Sequence, residues 1–159
     1  MIRQARSADL DAALALWQAL HDEHESLDPR YRLADDAAAR WRTSLRDWVR
    51  SDASRVFFAQ ETATSDSVGL ITAHLYEPAP TYRPHLLVHV DDLYVRPEAR
   101  GQGHARALVE AAAAWGRAEG ATQLRAGVLA ANAAGRAFWA SVGAADFSVT
   151  VAVELGGRL

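Results

Sequence analysis

The 159-residue chain reads as one domain of mixed α/β class, with a central, mostly antiparallel sheet flanked by helices. Three observations predict this. Segments of strand and of helix periodicity follow one another in the order β-α-α-β-β-β-α-β-α-β. Residues 85–119 run from a long apolar strand through a basic, glycine-punctuated turn into an alanine-rich helix. Half of the residues are hydrophobic and 23% are charged, the balance of a chain with one substantial core. No internal repeat, low-complexity linker or domain boundary interrupts it.

Residues 2–6 are a short candidate edge strand. Ser7 or Asp9 can cap the helix that follows, because their side-chain oxygens accept the orphan N–H groups of a first turn. Leu10, Ala13, Leu14, Trp17 and Leu20 recur every three or four residues and mark one apolar face of that helix. It runs into a polar tip, His21, Asp22, Glu23, His24 and Glu25, and breaks near Asp28 and Pro29. Residues 35–49 give a second helix with Ala38, Trp41, Leu45, Trp48 and Val49 on one side. Residues 55–62 and 68–76 read as a hairpin around Thr64, Ser65, Asp66 and Ser67. Pro78, Pro80 and Pro84 interrupt pairing and mark a loop. Residues 85–95 form the long strand and 105–119 the helix beyond the basic turn, with Gly120 at its C-cap. Residues 124–129 read as a strand, 132–142 as a short helix ending at Gly143, and 147–155 as a final strand of alternating character.

Composition excludes several classes of function. The net charge is −3 and the only basic cluster, residues 96–106, coincides with the turn, so nucleic acid is not an expected partner. The chain has no cysteine, which excludes disulfides, thiolate metal sites and a Cys nucleophile. The N-terminal residues lack a hydrophobic signal core, and no apolar run approaches the ~20 residues of a membrane span. A cytoplasmic protein without membrane contact is the expectation.

The turn has the makings of an anion site. A helix N-terminus leaves N–H groups without partners and carries partial positive charge. Gly101 and Gly103 let the backbone come close to a ligand, and Arg100 adds a full charge and a fork of donors. A phosphate or pyrophosphate fits such a place. The spacing is not that of a P-loop, and the third glycine of a dinucleotide fingerprint would fall at Arg106. What it does match is Arg/Gln-x-x-Gly-x-Gly/Ala, as Arg100, Gly103 and Ala105, after Leu93, Tyr94, Val95, Arg96, Pro97 and Glu98. That pattern resembles the acetyl-CoA signature of the GCN5-related N-acetyltransferase (GNAT) family. Residues 132–144, with Asn132, Phe138, Trp139 and Gly143, resemble a second family segment. The likeness in element order extends over nearly the whole chain, but the second half carries it.

The resemblance implies an acyl-CoA N-acyltransferase fold and acetyl-CoA as co-substrate; from the residues themselves no metal is expected. Its pyrophosphate would lie on Arg100, Gly101, Gln102, Gly103, His104 and Ala105. Its pantetheine arm would pair with the backbone of Leu93, Tyr94 and Val95, and Asn132 would add a side-chain amide contact. Asn132 also reads as a plain helix N-cap, and the two roles are compatible. Trp139 departs from the family, which usually places there a Tyr that protonates the departing thiolate. An indole is no useful acid. A thiol of pKa about 8.5 lies ~1.5 units above neutral pH, so expelling the bare thiolate costs roughly 2 kcal/mol. Tyr94, Ser141 or a water are candidates to replace the acid, and Trp139 itself reads as core packing. Ala144 also replaces the aromatic that usually follows Gly143.

The amine sets the harder demand. An alkylamine of pKa about 10.4 is only ~1 in 2,500 neutral at pH 7, a handicap of ~4.6 kcal/mol. The site must therefore drain a proton. Asp91 and Asp92 are the first candidates, followed by His89 and Glu77; each also reads as a solvated strand residue. His89 and Asp91 are two apart and share a face, and the Asp91–Asp92 doublet breaks strict alternation, as a β-bulge would. The resemblance places such a bulge beside the reaction centre. His21 and His24 lack a third ligand of firm spacing for a metal. The polar tip reads as solvated or, by the resemblance, as part of the acceptor pocket. Trp41, Trp48 and Tyr31 read as core and lid packing. The expected activity is direct attack of a primary amine, of a small molecule or peptide, on the thioester, with the carbonyl polarised by a strand N–H near Leu93 to Val95. Alternatives are a non-catalytic acyl-CoA-binding sensor or subunit and an interaction domain without cofactor. The apolar final strand is a candidate for pairing across a homodimer.

Overall fold

The computed structural model describes residues 1–61, 66–83, 85–153 and 155. Its elements are β1 (Ile2–Gln4), α1 (Leu10–Leu27), α2 (Ala37–Trp48), β2 (Ser54–Gln60), β3 (Ser67–Tyr76), β4 (Leu87–Val95), α3 (His104–Ala118), β5 (Gln123–Ala126) and α4 (Ala133–Ser141), with single 3₁₀ turns at Ser7–Asp9, Pro29–Tyr31 and Pro97–Ala99. The sheet order follows the chain, β1-β2-β3-β4-β5. The first four strands pair antiparallel, and β4 and β5 pair parallel because α3 forms the crossover between them.

The sheet is covered on both faces, which is why β3 reads as an almost unbroken apolar run from Val68 to Ala73. On one face α3 sets Leu108, Ala112 and Trp115 against Val88, Val90 and Ile71. On the other, Leu16, Trp17, Leu20, Trp41 and Leu45 of α1 and α2 pack on Val56, Phe58, Leu70 and Tyr94. The approach of α3 to the sheet is close. A Cβ on Gly116 would stand 2.1 Å from Val88 Cγ2, so the helix can rest on β4 there only as glycine.

Most predicted elements are present to within a few residues, and Gly120 and Gly143 take the left-handed C-cap conformation, with φ of 88° and 89°. Three expectations change. Neither Ser7 nor Asp9 caps α1; Asp9 instead receives two hydrogen bonds of 2.8 Å from Arg3 and one of 2.7 Å from the Arg6 N–H. β5 stops at Ala126 rather than 129. The final strand does not form among the described residues 147–153 and 155. They pair with no strand, and Phe147, Val149, Val151, Val153 and Leu155 are 61–83% exposed. Thr62 at the end of the strand read over 55–62, Thr64 and Ser65 of the predicted turn, Pro84 of the predicted loop and Glu154 of the predicted final strand lie outside the described residues. Among the described residues no helix is long and apolar enough to cross a membrane.

Candidate active site

The site begins with a bulge in β4. Thr72 pairs with Asp92, but the next residue, Ala73, pairs with Val90, so Asp91 is surplus to the ladder. Before the bulge Val88 and Val90 face α3; after it Leu93 and Val95 do. The extra residue thus leaves Asp92 on the α1–α2 side with Tyr94, and brings Asp91 to the same side. Both carboxylates line one open cleft of about 450 Å³ with Trp17, Trp41, Trp48 and His74.

Asp92 is buried, with 9% of its side chain exposed. Thr72 Oγ1 donates to its Oδ2 at 2.6 Å and accepts its backbone N–H at 3.1 Å. His21 Nε2 stands 3.9 Å from Oδ1. Burial pushes the Asp92 carboxyl above the usual carboxylate range; the neighbouring Asp91 charge adds to this, and the Thr72 hydroxyl, Trp41 and His24 oppose it. Burial lowers the pKa of both His21 and His24, so at neutral pH these rings stand near Asp92 uncharged. Asp92 is therefore a buried carboxyl held by a hydroxyl rather than one member of a tight ion pair.

Asp91 is more open, at 39% exposed, and sits between two imidazoles. His74 Nε2 is 2.8 Å from its Oδ2, a contact without the alignment of a hydrogen bond, and His89 Nε2 is 3.6 Å from its Oδ1. His74 Nδ1 in turn meets Ser54 Oγ at 2.8 Å. His74 and His89 are direct partners in the β3–β4 register, which is what places both beside the bulge.

Of the predicted proton acceptors, the structure brings Asp91, Asp92 and His89 together. His89 is 43% exposed and lies at the rim of the cleft, outside its lining. Glu77 is exposed past the end of β3 and does not reach the cleft. Sequence reasoning missed His74 and Thr72, and it read Trp41 and Trp48 as packing although both also line the cleft. The register opposite the Asp91–Asp92 doublet is the signal that would have found His74 and Thr72.

The second half of the site lies downstream on the same strand. β4 and β5 pair from Leu87↔Gln123 to Val90↔Ala126 and then part, so Leu93, Tyr94 and Val95 have no strand neighbour on that side among the described residues. The turn follows. Gly101 and Gly103 have φ of 76° and 82°, and α3 starts at His104. Among the described residues the backbone N–H groups of Gly101, Gln102, Gly103, His104, Ala105 and Arg106 donate no internal hydrogen bond; the first returning bond is from Ala107 N–H to Gly103 O at 3.0 Å. A Cβ at Gly101 or Gly103 would meet nothing within 4 Å, so it is the positive φ and not crowding that calls for glycine there. This is an anion cradle of backbone donors at a helix start.

Arg100 braces the turn from behind. Its Nε donates to Val95 O at 2.9 Å, its Nη2 to Glu23 Oε1 at 2.6 Å, and its guanidinium lies 5.7 Å from the Tyr94 ring. Arg106 Nη2 donates to Ser141 O at 3.0 Å and ties α3 to α4. Asn132 caps α4, its Oδ1 accepting the Gly135 N–H at 2.8 Å. A Cβ on Gly135 would stand 2.7 Å from Asn132 Nδ2, so glycine leaves room for this amide. Trp139 packs on the α3-side core. Of the residues named to replace its missing acid, Ser141 donates its hydroxyl to Phe138 O at 2.7 Å, and Tyr94 is buried beside Glu23, with burial raising its pKa.

A model of the acetyltransferase (GNAT) family matches residues 14–144. A search of curated proteins gives no match. Among solved structures the chain is similar to a Bacillus halodurans protein solved as a tetramutant, with a TM-score of 0.85 and 21% identity over 98% of this chain and 99% of that one. It is similar to an aminoglycoside antibiotic 6'-N-acetyltransferase from Acinetobacter haemolyticus (TM-score 0.76, 17% identity, 99% of both chains). An aminoglycoside N-acetyltransferase solved in complex with CoA gives a TM-score of 0.76 at 18% identity, over 99% of this chain and 95% of that one. At these identities the likeness is one of fold.

Proposed function

Since the chain belongs to the acetyltransferase (GNAT) family, we propose that it transfers the acetyl group of acetyl-CoA to a primary amine of a small molecule, by direct attack within a ternary complex. One observation carries the reading. The free amides of residues 101–106, the unpaired edge of β4 and the two-carboxylate cleft follow one another along a single strand and its turn. This is the order in which a diphosphate, its amide-bearing arm and a reacting thioester would need them.

The residues present fit that co-substrate. The backbone of Gly101, Gln102, Gly103, His104 and Ala105 offers N–H donors to the diphosphate, and Arg100 fixes the loop that presents them. Leu93, Tyr94 and Val95 offer backbone to the arm, and Asn132 retains Nδ2 as a donor. A β4 N–H in this stretch polarises the thioester carbonyl. Asp92 takes the proton of the attacking amine. Its burial narrows the gap between its own pKa and that of an alkylamine, which a solvated carboxylate leaves at about 6.5 units. Asp91, His74 and His89 carry the proton from the cleft to its exposed rim. The thiolate leaves without a side-chain acid, a step that costs roughly 2 kcal/mol at neutral pH. The exposed apolar row of Phe147, Val149, Val151, Val153 and Leu155 supports a homodimer as the working assembly.

The test is amine-dependent release of CoA from acetyl-CoA over a panel of primary amines. Asp92→Asn is expected to lower kcat/KM by about 10²–10⁴-fold, the usual contribution of a general base. A base must be ionised to act, so the wild-type rate falls as pH drops through the raised Asp92 pKa, and the variant lacks this limb. An unchanged pH profile in Asp92→Asn would remove Asp92 from the mechanism. Tight acetyl-CoA binding without turnover on any amine would favour the sensor alternative, which the missing acid at Trp139 motivates.

A further inference from the structure

We infer that the acceptor is an arylalkyl or branched alkyl monoamine without a carboxylate, its apolar body lying on an aromatic wall and its single ammonium meeting Asp91 and Asp92. This deepens the reading above and rests on it. The wall is continuous, with Trp48 its half-buried outer part and the edges of the buried Trp17 and Trp41 its floor. Trp17 and Trp41 stack with centroids 4.9 Å apart and planes at 19°, Trp41 meets Trp48 edge-on at 6.1 Å, and Trp48 meets His74 edge-on at 4.7 Å. Three indoles thus line one cleft with the two carboxylates, and His74 links Trp48 to Asp91, its Nε2 2.8 Å from Oδ2.

What the lining lacks restricts the ligand further. Among the described residues it holds no Ser, Thr, Asn, Gln or Tyr side chain, so the several hydroxyls of a polyhydroxylated amine would have only His74 and the two carboxylates to meet. Among the described residues it holds no Arg or Lys, so an amino acid would set its carboxylate against Asp91 and Asp92 without a counter-ion. It holds two carboxylates, of which Asp92 receives the proton. That leaves Asp91 for one ammonium and, among the described residues, no further carboxylate in the lining for a second. An apolar body with one positive end meets none of these objections. Indole faces accept both hydrocarbon and a cation.

The discriminating experiment has two readouts. Quenching of intrinsic tryptophan fluorescence reports amine binding without acetyl-CoA, and CoA release reports acetylation. The panel is 2-phenylethylamine, phenylalanine, spermidine and kanamycin. The expected result is that 2-phenylethylamine binds and is acetylated with a kcat/KM at least tenfold above the other three. Trp48→Ala should raise its KM about tenfold with little change in kcat, and Trp48→Phe should restore most of the loss. Faster acetylation of kanamycin, spermidine or phenylalanine would overturn the inference and leave the N-acetyltransferase reading standing. Binding of 2-phenylethylamine in preference to the others with no acetylation of any amine would uphold the inference about the cleft and overturn the catalytic reading. Failure of 2-phenylethylamine to bind would overturn the inference.

Discussion

Asp92 joins two properties that pull against each other. A buried carboxyl is harder to ionise in the folded chain than in the unfolded one, because burial raises its pKa. Below the unfolded value both states hold the proton and nothing is lost. As pH rises from there through the folded value, the unfolded chain ionises first and stability falls; above the folded value the loss is complete. Asp92→Asn keeps an acceptor for the Thr72 hydroxyl and removes the ionisation. Thermal melts from pH 4 to pH 9 should show the variant level with the wild type at the acid end and increasingly more stable towards the alkaline end. A variant less stable at every pH would mean that the carboxylate is held by more than Thr72. The doublet of acids was legible in the sequence because charge in an apolar strand breaks its alternation. His74 was not. A histidine on a hairpin strand reads alike whether or not a bulge lies opposite, and only register decides. Trp41 and Trp48 were half legible, because helix spacing shows which face is apolar but not that its rim lines a cleft.

At the scale of elements, the strand–turn–helix unit of β4 and α3 was the most legible part, because glycine conformation, helix start and free amides are all local. Its energetics are testable at Gly103, whose φ of 82° is disfavoured for a residue with a Cβ. Gly103→Ala should cost about 1–2 kcal/mol of stability if the conformation is kept. If the turn relaxes instead, its amides rotate away from the diphosphate. The KM for acetyl-CoA should rise about tenfold while kcat changes less, measured by CoA release at saturating amine. Unchanged KM and stability would show that these amides hold nothing. Less legible was the final strand. Its alternation is a clear β pattern, but a strand is made by its partner, and pairing is non-local. The described residues show the pattern without the pairing.

Over the whole molecule, the sheet begins at β1 and ends at β5, and the unpaired apolar row follows α4. An open edge and an exposed apolar segment in one chain are a standing invitation to self-association. Sedimentation at micromolar concentration should give about twice the 17.3 kDa of one chain. Val149→Asp with Val151→Asp should shift it to the monomer, since each valine that is buried contributes about 1.5–3 kcal/mol. A monomer at every concentration would leave the row without a role. The bulge has its own reach across the molecule. Every apolar side chain of β4 would keep its present face if Asp91 were missing, since the ladder would simply close by one rung. The faces of the strand are thus independent of that residue, and what it adds is a second carboxylate beside His74 and His89. A cousin of this chain one position shorter here would pass for the same architecture in any overlay and carry a single acid where this one carries two.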